Sequence, residues 1–142
     1  MLFCSYLNQQ ALVWMRGPIP AGEKDDRTLF CGGTKDVTEE NWDQSSLYFK
    51  LKDGQKAIGD KIYEGIPHKV TVKRRGHPKD VIKFINRVCA RQEHYHSRLW
   101  AYQVLRQDFR HNKDKMSQHQ MCAESVSVIV QYDLKYHPLP QV

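Results

Sequence analysis

The sequence predicts an α/β chain, and three observations carry that expectation. Two short runs, QKAIG at 55–59 and HKVTVKR at 68–74, read as strands, the second through its alternation of β-branched and polar residues. A long segment from Pro78 to about Gln107 then repeats its apolar residues at spacings of three and four, the period of a helix. Hydrophobic residues make up 40% of the 142 residues and aromatics 11%, enough for a packed core and too much for a disordered tail.

Taken in order, MLFCSYLNQQ opens in apolar residues, as a chain entering partway through an element would. It lacks the basic start and small-residue cleavage site of a signal peptide. ALVWM at 11–15 reads as a strand closed by Gly17, Pro18 and Pro20. Asp25 and Asp26 precede TLFC at 28–31, a short helix stopped by Gly32 and Gly33. Residues 34–46 are polar and acidic, a loop with room for one helical turn. The strand at 55–59 ends at Asp60. Gly76 and Pro78 separate the next strand from the long helix, which Pro78 enters at its first turn, where a missing N–H costs nothing.

On that helix Ile82, Ile85, Cys89, Glu93, His96 and Trp100 share one stripe, so Glu93 is a carboxylate on the side expected to face the core. A second stripe holds Val81, Phe84, Val88, Tyr95, Leu99 and Tyr102, and Lys83, Arg87, Arg91 and Arg98 fill the rest. Ser117 with Gln120 forms a capping-box start for the last element. Met121, Cys122, Ser125, Val126, Ile129 and Val130 fit a helix there, while Val126, Val128, Val130 and Tyr132 alternate as a strand would; periodicity leaves both open.

Charge is uneven. From Lys56 to Lys115 there are 15 Lys and Arg against 6 Asp and Glu, a net of +9 within a total of +6, so the rest sums to −3. Such a field favours an anionic partner, and nucleic acid is the commonest. No apolar run is long enough for a transmembrane helix, so no membrane partner is expected. Four scattered cysteines without a CxxC pair suit a reduced, intracellular protein. Cys89, His94 and His96 match no standard zinc spacing.

Asp60 and Glu93 raise a sharper expectation. An acid at a strand end and another on a following helix can together hold a hard divalent cation. Several pieces resemble, in order, the C-terminal two-thirds of the DDE superfamily endonucleases, the catalytic domains of Harbinger-like transposases. They are LVWMRGPIPAG with DDRTLF, AIGDKIYEG, KRRGHPKD, ARQEHYHSRLWAYQVLRQDFRH and ESVSVIVQYDLKYHPL. The resemblance implies a partial RNase H-like fold: a mixed sheet, a long helix after its last strand and a closing C-terminal helix. It implies one domain over 1–142 lacking its N-terminal strand and first catalytic acid. Asp60 then matches the second catalytic acid and Glu93 the third, both as ligands to Mg²⁺ or Mn²⁺, with Asp26 as an accessory acid. Lys73, Arg74, Arg75, Arg87, Arg91, Arg98 and Arg110 are the residues expected to hold DNA phosphates.

The pattern also departs from the family. No aspartate precedes Asp25, which stands where the family has histidine, Ile62 stands where it has glycine, and His96 and Trp100 replace polar and basic residues. The expectation is a transposase-derived, metal-dependent DNA endonuclease-like domain that is inactive as this isolated chain. The alternative is a non-catalytic DNA-binding or protein-interaction domain of the same origin. DNA is the expected partner, with a homo-oligomer or a separate DNA-binding subunit, in the nucleus if the source is eukaryotic.

Overall fold

A computed structural model describes residues 2–5, 11–17, 25–106, 115–139 and 141. It is a mixed α/β structure that divides into two compact units, Ala21–Cys89 and Phe3–Pro20 with Ala90–Val142.

In the unit Ala21–Cys89, the chain makes α1 (Asp26–Cys31), a 3₁₀ turn (Glu39–Asn41), α2 (Leu47–Lys50), β3 (Ala57–Gly59), a second 3₁₀ turn (Lys61–Tyr63) and β4 (Val70–Val72). Asp25 caps α1, its Oδ1 accepting the Thr28 N–H at 2.6 Å. Gly32 ends the helix at φ +89°, a left-handed conformation that L side chains avoid. That turn brings Trp42 over Gly33, with the indole N–H donating to the Val37 carbonyl at 3.0 Å. Phe30, Trp42, Tyr48 and Tyr63 are buried and meet edge to face, Phe30 and Tyr63 at 5.5 Å and Trp42 and Tyr48 at 5.2 Å. Edge-on pairs of this kind add about 0.5–1.5 kcal/mol each beyond the area they bury. Burial pushes the Tyr48 phenol up to about 12, and its hydroxyl lies 2.9 Å from His68 Nε2.

β3 and β4 pair in parallel, Ala57 with Val70, Ile58 with Thr71 and Gly59 with Val72. The expected strand at 68–74 is therefore shorter. Lys69 gives its carbonyl to Ala57, and from Lys73 onward the chain turns away through Gly76.

The long helix α3 (Lys79–Trp100) has 22 residues, about 33 Å of rise. Ile82 donates to the Pro78 carbonyl at 3.0 Å, so Pro78 opens the helix as its ring geometry favours. The helix stops short of the expected Gln107. At Tyr102 the backbone N–H bonds Leu99 instead of the residue four back, and α4 (Gln103–Arg106) starts on a new phase. An unbroken helix would place Arg106 seven residues after Leu99 and so on the same face. The break buries Leu105 there and leaves Arg106 exposed.

In the other unit, β1 (Leu2–Ser5) pairs with β2 (Leu12–Arg16). The closing element is a helix, α5 (Met116–Asp133), which settles the strand alternative: Ala123, Val126, Ser127, Val130 and Leu134 are buried at helical spacing, whereas Val128 and Tyr132 are exposed. Tyr95, Leu99, Leu105, Ala123, Val126, Val130, Leu134 and Leu139 form its core. The capping box does not form. Ser117 lies inside the helix, Lys115 is the cap residue, and Gln120 reaches forward to Glu124 at 2.8 Å. Leu12 N–H donates to Gln131 Oε1 at 2.6 Å, tying β2 to α5. None of the described helices is long and apolar enough to cross a membrane. No disulfide joins the cysteines among the described residues.

Candidate nucleic-acid interface

Parallel strands β3 and β4 run the same way, so their carboxyl ends open on one edge, where α/β folds present ligand-binding residues. Gly59 and Val72 are register partners, and Asp60 and Lys73 follow them directly. Gly59 is required by space: a Cβ there would stand 2.7 Å from the Tyr63 ring and 3.2 Å from Val70 Cγ1. Asp60 is exposed and caps the Lys61–Tyr63 turn, its Oδ1 accepting the Ile62 N–H at 3.0 Å. Asp26, in the first turn of α1, is also exposed. The two carboxylates share the surroundings of Tyr63. Burial raises the phenol pKa of Tyr63, and the negative charges of Asp26 and Asp60 raise it further. The Asp25 carboxyl is held below its usual range by its hydrogen bonds to Thr28.

The basic residues beyond β4 form the larger feature. Lys73, Arg74 and Arg75 are all exposed. Lys73 Nζ donates to Asn86 Oδ1 on α3 at 3.2 Å, which fastens the strand end to the helix. Lys79, Lys83 and Arg87 recur every fourth residue, so they form one exposed stripe about 12 Å long on that helix. Asn86 sits beside Arg87 and one turn beyond Lys83. The Lys73–Asn86 bond therefore fastens the start of the basic loop to the helix that carries the stripe, and all six cations are exposed.

The other expected residues are placed differently. Arg91 is buried at 7% exposure on the inward side of α3 between Ile85 and Tyr95. Desolvation lowers its pKa. Arg98 pairs with Asp133 of α5 at 3.0 Å, and His137 Nδ1 lies 2.8 Å from the same carboxylate. Arg110 lies outside the described residues. Glu93 corrects the expected stripe: it is exposed, as is Trp100, because the buried positions of α3 are Ile85, Arg91, Tyr95 and Leu99. An arginine among the buried positions hides that stripe from a reading of hydropathy alone. Asp60 and Glu93 belong to different compact units.

A divalent cation has a partial ligand set here. Asp60 offers an exposed carboxylate with Asp26 in the same electrostatic neighbourhood, yet no group of three or more His, Cys, Asp or Glu among the described residues could hold a metal ion. The side chains among the described residues do not by themselves build a two-metal cage.

No protein-family model, characterised protein or solved structure matches the chain.

Proposed function

We propose that the chain is a transposase-derived, DDE-endonuclease-like domain with a partial RNase H-like fold, which binds duplex DNA without cutting it. The observation that carries this reading is the group of exposed cations Lys73, Arg74, Arg75, Lys79, Lys83 and Arg87, with Lys73 bonded to Asn86 of α3. Phosphate contacts of this kind position a protein on DNA and carry little sequence information. Holding six phosphates releases their counterions, so affinity for a short duplex falls about 1000-fold between about 50 and 200 mM salt. Fluorescence anisotropy across that range tests the reading. An affinity that does not change with salt removes it.

The nuclease alternative draws on Asp60, which stands at the carboxyl edge of a parallel strand pair beside that same basic surface. In this reading Asp60 and Glu93 would hold Mg²⁺ or Mn²⁺, which polarises the scissile phosphate when bound. Asp60→Asn keeps the oxygen that caps the turn and removes the charge, so it separates metal binding from folding. Titration calorimetry with Mn²⁺ on the natural chain, Asp60→Asn and Glu93→Gln decides: heat present in the first and lost in both variants supports a metal site. No heat in the natural chain dismisses it. Nicking of supercoiled plasmid is expected at background for all three.

A further inference from the structure

Trp100 is 55% exposed at the end of α3, with its indole open to solvent. It does not stand alone. The break at Ala101–Tyr102 turns α4 so that Arg106 joins Ser97, Trp100 and Ala101 around an open hollow of about 450 Å³. Each of these residues has a distinct part. Ser97 and Ala101, one turn apart on the helix, are small residues that line the hollow with the indole. Ser97 turns its hydroxyl back to the Glu93 carbonyl at 2.9 Å, so it does not fill the space. Arg106 supplies a positive charge at the α4 side. A planar ring fits against the indole, and an anion attached to it is drawn to Arg106.

We propose that this hollow stacks one unpaired nucleobase of single-stranded DNA on Trp100, with the adjoining phosphate held by Arg106. Every base has a π face, so the contact is sequence-tolerant, and one base–indole stack accounts for about tenfold in affinity. A duplex keeps its bases stacked inside and offers the hollow only phosphates, so the site distinguishes melted from paired DNA. The inference rests on the DNA-binding reading above, and its test is arranged to fail separately from it.

The probes are (dT)12, free dTMP and a short duplex, read by tryptophan fluorescence and anisotropy. The expected result is that (dT)12 quenches the fluorescence, and that Trp100→Ala abolishes the quench and weakens (dT)12 binding about tenfold. Duplex affinity should stay within about twofold, since the six cations holding it are untouched. Trp100→Phe should keep most of the affinity, because a smaller ring still stacks. Arg106→Gln should make the salt dependence of (dT)12 binding shallower by about 0.7 in log–log slope, the share of one single-strand phosphate. Unchanged (dT)12 binding in Trp100→Ala, with duplex binding intact, overturns the stacking site and leaves the duplex reading standing. Free dTMP binding as tightly as (dT)12 overturns the assignment to a strand. Failure of the natural chain to bind any DNA defeats both.

Discussion

A methyl group at position 59 would collide with the Tyr63 ring that packs over the strand end, and the buried ring cannot move aside freely. Gly59→Ala should cost about 1–3 kcal/mol, the usual penalty for overpacking, measured by urea unfolding. Asp60, the next residue, is held by its own cap bond to the Ile62 N–H. Asp25 makes a second residue-scale prediction. Its folded-state pKa lies below the unfolded value, so its contribution is complete above the ordinary carboxylate range and is lost as pH falls through the lowered value. Asp25→Ala should therefore cost about 1 kcal/mol near neutral pH, the typical worth of a helix cap. That deficit should shrink in acid, as the pH falls through the lowered value and the natural carboxyl takes up its proton. An equal deficit at neutral and acid pH would contradict the cap account.

At the scale of elements, the break between α3 and α4 is driven by the core. Leu105 is buried with Tyr95 and Leu99, and only the change of phase after Tyr102 puts it there. Leu105→Ala should destabilise by about 2–3 kcal/mol, while the exposed neighbour Val104→Ala should change little; thermal unfolding of the two variants compares them. The Arg98–Asp133 pair between α3 and α5 is partly exposed, so Arg98→Ala should cost less than about 1 kcal/mol. These elements also mark what the sequence made legible. The cap and glycine stop of α1, the strand ending at Asp60 and the helix opening at Pro78 were all readable, because each depends on local backbone chemistry. The α3–α4 break was not readable, since no proline or glycine marks it and a tertiary contact of Leu105 decides it. The inward face of α3 is only partly legible for a related reason: Arg91 interrupts its apolar pattern, and of the expected stripe Ile85 is buried whereas Glu93 and Trp100 are exposed. The helical state of α5 needed the packing of Ala123, Val126 and Val130, which periodicity does not supply.

For the whole molecule, the unequal division of charge is the property with functional weight. Net charge over 56–115 is +9, from 15 basic and 6 acidic residues, and six of those basic side chains are exposed on the unit Ala21–Cys89. That basic half was legible as a count in the sequence. The sorting was not: Arg91 is withdrawn to the interior and Arg98 to an ion pair, whereas Lys79 and Lys83, which the family resemblance did not single out, join the exposed stripe. A field concentrated in this way raises encounter rates with polyanions as well as affinity, and salt weakens both. The most direct test compares the salt dependence of duplex binding for the natural chain and for Lys79→Gln/Lys83→Gln/Arg87→Gln. Six phosphate contacts predict a log–log slope of about −5 for the natural chain, shallower by about 2.7 in the triple variant. Equal slopes for the two proteins would contradict the assignment of this surface to DNA.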